Sequence, residues 1–489
     1  MKKYILIILC CLTSFPLWSY NVNMIVEHYS VDQGLPNNTV NCTLKDRDGF
    51  IWFGTWYGLC CFDGVKFKTF NKQEHDSDVP PRKIQRIVED KNGYIWVKTI
   101  DRKLYVFNKV TECFHAVYDD MKNYSENIQV IKLQNTAEGD VLLLTKDKNL
   151  LLAGVDEKGQ VTIKILFDSR DEINKHDYTL KHHVLCETEE YISWIGTDYK
   201  VSAVHKGAEL ASRPADFITS KINSGDKDSF TSFFEDGRKV WVGDRAGIFY
   251  SIDVRTGLVN RYVLSEIKGA ISNLLVTPAG YVYLSVAGQG TYEYDLAERR
   301  LQKINTEMND AMVTHAFIDQ YDKIWFHENE KALIYYDPLN HTAKRFPFTM
   351  FGKITTLYSE DAGERGLFFL SPAGEAWLFD REHAEMVYIN KLKQLSNDRA
   401  NQQFYHLMLD NDGVLWLSSA DEGVYCMNFP KKQFNLLSLS PQSAGQENYT
   451  TGVRALFQSK SGDIWVGTRW QSAVSYTHLR AHETAANLV

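Results

Sequence analysis

The stretch Asp46-Arg47-Asp48-Gly49-Phe50-Ile51-Trp52-Phe53-Gly54-Thr55 decides the architecture, because the chain keeps returning to it. A polar turn, an apolar residue, Trp and another apolar residue recur in Gly93-Tyr94-Ile95-Trp96-Val97, and later copies centre on Trp194, Trp241, Trp325, Trp416 and Trp465. Degenerate copies place Leu142, Tyr283 and Phe369 at the Trp position. Successive copies lie 44, 46, 52, 47, 42, 42, 44, 47 and 49 residues apart. Ten copies at so regular a spacing mark an internal repeat, and a period in this range is that of a four-stranded propeller blade.

Each copy has the same grammar. An alternating apolar run comes first, such as Val40 to Leu44 or Ile84 to Val88. A turn rich in Asp, Asn and Gly follows, as in Asp410-Asn411-Asp412-Gly413, and supplies the left-handed or side-chain-bonded positions that tight turns need. Then come the Trp strand, a loop, and a third strand ending in an aromatic residue and Asp or Asn: Phe62-Asp63, Phe107-Asn108, Tyr294-Asp295, Tyr336-Asp337 and Phe379-Asp380. A fourth strand closes the unit, as in Lys66 to Phe70. The expected fold is therefore an all-β β-propeller of four-stranded antiparallel blades, with each Trp packed between neighbouring blades.

Propellers close with about 4–8 blades, so ten repeats exceed one ring. The expectation is one seven-bladed ring over 39–348 and three blades of an unfinished second propeller over 349–470. Residues 21–38 then hold a linker and a spare strand, Val26 to Ser30, expected to complete a blade elsewhere, in the second ring rather than in blade seven.

Composition agrees. Aromatic residues make up 13% of the chain and Pro only 11 of its 489 residues, a profile suited to many short strands with aromatic cross-strand pairs. The net charge of -8, with no basic stripe, argues against nucleic acid as a partner. Lys2-Lys3, the apolar run Tyr4 to Leu12 and Ser19 have the pattern of a secretory signal peptide over 1–20, which implies export to the periplasm. Leu9 before Cys10 lacks the small residue of a lipoprotein site. The remaining cysteines, Cys42, Cys60, Cys61, Cys113, Cys186 and Cys426, form no CxxC pair and are expected to be buried thiols.

The opening His28-Tyr29-Ser30-Val31-Asp32-Gln33-Gly34-Leu35-Pro36-Asn37-Asn38-Thr39-Val40, with Asp46 to Asp63 after it, resembles the two-component regulator propeller family. The resemblance extends from about Val26 to Arg469. It implies the periplasmic sensor region of a hybrid two-component system, followed in the full receptor by an immunoglobulin-like domain, a membrane helix and a histidine kinase. It further implies a homodimeric receptor and a glycan or oligosaccharide ligand. After Gly467-Thr468-Arg469 the pattern breaks, and 471–489 reads as translated adapter sequence, so the receptor is expected to be truncated here.

Catalytic signatures are missing from the sequence. The turn Asp46-x-x-Gly49-x-x-Trp52 differs from the sialidase Asp box, and neither a His-Glu-x-x-His nor a Gly-x-Ser-x-Gly motif occurs. His182-His183 lacks a third ligand at metal spacing. No cofactor or metal is expected. A binding patch is expected on the loops between second and third strands: Trp56 and Tyr57, Asp101 and Arg102, Asp244 and Arg245, Arg469 and Trp470. Exposed rings stack on sugars, and Arg holds a carboxylate or sulfate with two prongs. The same residues also suit ordinary loops or packing between propellers. Two alternatives to a sensor remain open at this point, an exported glycan-active hydrolase or lyase and a non-catalytic interaction scaffold.

Overall fold

The computed structural model describes residues 24–70, 80–121, 129–146, 149–167, 180–188, 190–196, 200–207, 217–221, 230–304, 313–328, 331–351, 358–361, 366–371, 374–391, 404–428, 453–458, 464–468 and 474–476. Two compact units emerge, Met1–Phe429 and Pro430–Val489.

The repeat read from the sequence is the folding unit. In blade one, β2 (Val40–Lys45), β3 (Ile51–Thr55), β4 (Gly58–Phe62) and β5 (Phe67–Phe70) pair in sequence order, all antiparallel. Seven further sheets follow this order, over 84–116, 130–167, 180–221, 230–263, 271–303, 313–347 and 358–391. Trp52, Trp96, Trp241, Trp325 and Trp416, and their replacements Leu142, Tyr283 and Phe369, all lie on second strands.

The ninth sheet differs. Its first three strands lie within 404–428, and its fourth is β1 (Ile25–Tyr29), paired antiparallel with Val424–Asn428 from Ile25↔Asn428 to Tyr29↔Val424. Beyond β1 a short 3-10 turn, Val31–Gln33, is fixed by a capping box between Ser30 and Gln33. The spare strand is thus used by the ninth repeat and not by blade seven.

What closes on this strand is not a seven-bladed ring. Nine apolar clusters among the described residues each join one sheet to the next. Trp325 of blade seven packs with Phe369 and Phe379 of blade eight, so residue 348 is no break. Trp416 and Val424 of the ninth sheet pack with Val40, Ile51 and Phe53 of the first, completing the cycle. The larger unit ends at Phe429, after the ninth sheet. The physical reason is that β1 completes the ninth sheet beside the first, leaving neither with an unpartnered flank. In the smaller unit, Val453–Gln458, Ile464–Thr468 and Val474–Tyr476 form a three-stranded sheet, so part of the stretch read as adapter sequence is a strand. Residues 1–20 and 477–489 lie outside the described residues.

In blades one, two and seven and in the ninth sheet a turn carboxylate holds the Trp in register. Trp52 Nε1 donates to Asp46 Oδ2 at 2.7 Å, while Asp46 Oδ1 accepts the Asp48 and Phe50 N–H groups. The pairs Asp90–Trp96, Asp319–Trp325 and Asp410–Trp416 repeat this six-residue arrangement at 2.9, 3.3 and 3.1 Å. A buried indole N–H and a buried carboxylate would each be costly alone, and together they satisfy one another. Where the Trp is lost, so is the carboxylate. Thr136 precedes Leu142 and Thr277 precedes Tyr283, each bonding only its own turn. Tyr283 finds its acceptor instead in the buried Glu293, which also receives Tyr336 Oη.

The glycine two residues after the Trp, within its strand, has a packing reason. A Cβ on Gly54 would sit 2.5 Å from Cys42 Sγ and 2.6 Å from Ile84 Cγ2 of the next blade. Gly243 repeats this against Ser232 and Ile271, at 2.4 and 2.7 Å.

Candidate functional site: the loop edges of blades one and two

Antiparallel succession sorts the connections of each blade onto two edges. Turns between first and second and between third and fourth strands share one edge. Loops between second and third strands share the other with the connections between blades. The expected binding residues all belong to the second edge.

There the backbone links blade to blade. Trp56 N–H donates to Thr39 O at 3.0 Å, Lys83 N–H to Trp56 O at 2.9 Å, and Ile100 N–H to Lys83 O at 2.9 Å. Val130 N–H then donates to Arg102 O at 2.9 Å. Trp56, Tyr57 and Arg102 therefore stand on one hydrogen-bonded edge running from blade one to blade three. Tyr57 is 58% exposed and Trp56 37%, with the Lys83 ammonium 5.0 Å from the Trp56 ring centroid. One face of Trp56 is thus engaged by a cation, and Tyr57 is the more open ring.

Asp101 and Arg102 are both exposed. Asp101 accepts from Thr99 Oγ1 at 2.5 Å and lies 3.6 Å from Lys103 Nζ. Arg102 adopts a left-handed φ of 67°, unusual for a bulky residue, and its Nη1 reaches Gln129 Oε1 at 3.5 Å. Asp244 is buried and accepts the Ala246 and Ile248 N–H groups, and burial raises its pKa. Its carboxylate shapes its own turn, while Arg245 beside it is exposed. Arg469, Trp470 and the side chains of His182 and His183 lie outside the described residues.

Sequence reasoning missed two features. The first is Lys98, at the position that holds Gly54 in blade one and Gly243 in blade five. It is only 5% exposed, its Nζ donates to Gln85 Oε1 at 2.5 Å, and burial and the nearby Arg102 charge lower its pKa to about 8. The signal was visible as a Lys where the repeat has Gly.

The second is a groove of about 1110 Å³ on the opposite edge, between blades one and two, lined by Arg47, Asp48, Phe50, Tyr94, Lys109 and Val110 among others. Next to its lining residue Asp48, Asp46 and Glu89 complete a cluster whose carboxylate oxygens lie within 4.8 Å of one another. Lys109 Nζ donates to all three, at 3.1, 2.7 and 2.8 Å. Burial works against its charge, but the bonds to Asp48, Glu89 and Asp46 outweigh it and hold the ammonium above its ordinary pKa. The cluster is an inter-blade clasp whose cation is a lysine. Arg381 plays the same part between blades seven and eight, bonding Asp319 at 2.7 Å and Asp361 at 2.6 Å.

Among the described residues no helix is long and apolar enough to cross a membrane. Five described cysteines are free thiols, and Cys42, Cys60 and Cys113 are buried.

Comparison with known proteins follows the geometry. No curated protein matches the chain. Among solved structures, the extracellular domain of the hybrid two component system BT3049 from B. thetaiotaomicron is similar at 15% identity and a TM-score of 0.32, over 93% of this chain. That of the one component system BT4673 from the same organism is similar at 14% identity and a TM-score of 0.31, over 81%. This chain spans 65% of the length of each. BamB from Moraxella catarrhalis is similar at 11% identity and a TM-score of 0.39, over 84% of this chain and 100% of that one. Residues 34–57, from the capping glycine through the Trp52 strand to Tyr57, match the family model of the two component regulator propeller. The chain is a β-propeller protein that carries the two component regulator propeller repeat.

Proposed function

We propose that this chain is the periplasmic ligand-sensing region of a hybrid two-component receptor and that it recognises an oligosaccharide or polysaccharide fragment. The observation that carries the reading is the two component regulator propeller match at 34–57, within a repeat that recurs along the chain. The loop edge supports the ligand class. Tyr57 offers an open ring, and Arg102 and Arg245 offer guanidinium groups on loops of the same kind. An aromatic ring stacks on the apolar face of a sugar, and guanidinium suits its charged substituents.

In this reading the ligand biases a membrane histidine kinase joined through an immunoglobulin-like domain and a membrane helix, within a homodimer. Binding transmits a signal only through unequal affinity for two receptor states. No catalytic role is assigned to the acids, since Asp46, Asp90, Asp319 and Asp410 are all engaged with turns and indoles.

Calorimetric titration of the purified chain with a panel of neutral, uronate and sulfated oligosaccharides tests the reading. Binding of one class, weakened about tenfold or more by Tyr57→Ala, is the expected result. Release of shorter saccharides from a polymer would replace the sensor with an enzyme, and silence across the panel would remove the saccharide.

A further inference from the structure

On the first and second strands of blade two, Arg86 and Lys98 face each other as register partners. Like charges in such a pair repel. The repeat does not require them. The corresponding pairs are Cys42 with Gly54, Lys132 with Leu144, Ser232 with Gly243, Asn273 with Ser285, His315 with His327 and His406 with Ser418. Among these described pairs only blade two sets a lysine opposite an arginine.

Among the described residues no carboxylate pairs with the Arg86 or Lys98 side chain. Among the described residues Arg86 makes no hydrogen bond or ion pair, Lys98 bonds only the neutral Gln85, and Arg102 bonds only Gln129 through its guanidinium. Asp101, the nearest acid in sequence, is taken up by Thr99 and Lys103. Arg102 joins the corner because the strand ends at Thr99, next to Lys98, where the Thr99 to Arg102 turn begins, closed by Arg102 N–H to Thr99 O at 3.0 Å. Two further facts report the unbalanced field. The Arg102 charge contributes to the lowered pKa of Lys98, and that of Arg86 contributes, after burial, to the lowered pKa of His406, whose Nδ1 is buried without a partner. A buried cation opposite a second cation is costly in the empty protein. Departures from local rules of this kind concentrate at functional sites.

We propose that Arg86, Lys98 and Arg102 form an oxyanion-binding corner that receives the carboxylate or sulfate group of the ligand. The two arginines supply planar forks from the exposed side, and Lys98 supplies a point charge from the buried side. The identity of the ligand as a saccharide rests on the sensor reading above, whereas the anion preference rests on this corner alone.

The test titrates the purified chain with a sulfated, a uronate and a neutral oligosaccharide of equal length, and separately with inorganic sulfate. The expected result is at least tenfold tighter binding of one charged oligosaccharide than of the neutral one, abolished in Lys98→Met. Arg102→Ala, on an exposed loop, should reduce the preference severalfold and guards against a folding defect in the first variant. Sulfated and uronate arms separate the two anion sources. Equal affinity for charged and neutral ligands, or a preference that survives Lys98→Met, overturns the corner and leaves the sensor reading standing. If no saccharide binds while inorganic sulfate does so through Lys98, the corner stands and the saccharide reading falls. No binding of any anion overturns the corner.

Discussion

The indole N–H of Trp96 and the carboxylate of Asp90 meet at 2.9 Å in a place where neither touches water: Trp96 is 0% exposed and Asp90 1%. Asp90 also accepts the Asn92, Tyr94 and Val155 N–H groups, the last from blade three. One carboxylate therefore closes a turn, fixes a core ring and ties two blades. Replacing it leaves several buried donors unmet, each costing about 1–3 kcal/mol. Asp90→Ala is expected to lower unfolding free energy by about 3 kcal/mol or more, read from urea denaturation. A loss below about 1 kcal/mol would mean that water replaces the carboxylate.

Gly54 should tolerate no side chain. Its Cβ would enter the space of Cys42 and Ile84, and overpacking of this kind costs about 1–3 kcal/mol. Gly54→Ala is expected to destabilise the larger unit by that amount. Gly64→Ala, where no atom lies within 4 Å, isolates the cost of a left-handed φ, here 93°. Comparing thermal midpoints of the two variants separates packing from backbone strain.

The thiols should be silent until the fold opens. Burial pushes the pKa of Cys42, Cys60, Cys61 and Cys426 up to about 12. At pH 8 the thiolate fraction is then roughly 10⁻⁴, against roughly a quarter for an ordinary cysteine. Alkylation followed by mass spectrometry should label these four slowly in buffer and rapidly in urea. Fast native labelling of Cys42 would show that the joint between blades one and two breathes.

Lys98 predicts an unusual response to alkali. Its pKa in the fold, about 8, lies below the ordinary 10.5, so between these values the unfolded chain holds the proton that the folded chain has shed. Stability from this group therefore rises with pH across that window. Gln85, its hydrogen-bond partner, does not titrate. Lys98→Met should be more stable than wild type at pH 7, and the gap in urea midpoint should narrow by pH 10. A constant gap would mean that Lys98 stays protonated in the fold.

Most of the fold could be read from the spacing of one phrase. The Trp positions, the four-strand grammar and the Asp/Gly turns all follow from local chemistry, and Gly49, Gly93 and Gly413 have the positive φ such turns require. Ring size could not be read this way. It depends on β1 choosing a partner nearly four hundred residues away, and every third strand of the repeat offers a similar apolar face. The site was legible in part. Trp56, Tyr57 and Arg102 stand on one edge, yet Asp244 looks the same as Asp101 in sequence and is buried. The substitution of Lys98 for the Gly of other copies was visible, but its burial was not, because a polar residue in an alternating strand reads as solvent-facing. Only the register opposite Arg86 reveals its setting.

The pairing of β1 with Val424–Asn428 also sets a timetable for biogenesis. The first strand of the larger unit leaves the ribosome long before its partner exists. At about 5–20 residues per second, the interval is roughly 20–80 s. Throughout it Ile25–Tyr29 offers an unpaired edge, and the ninth sheet cannot be completed. Folding of this protein is therefore coupled to its own synthesis, and holdase chaperones that shield strand edges become part of how the ring is made.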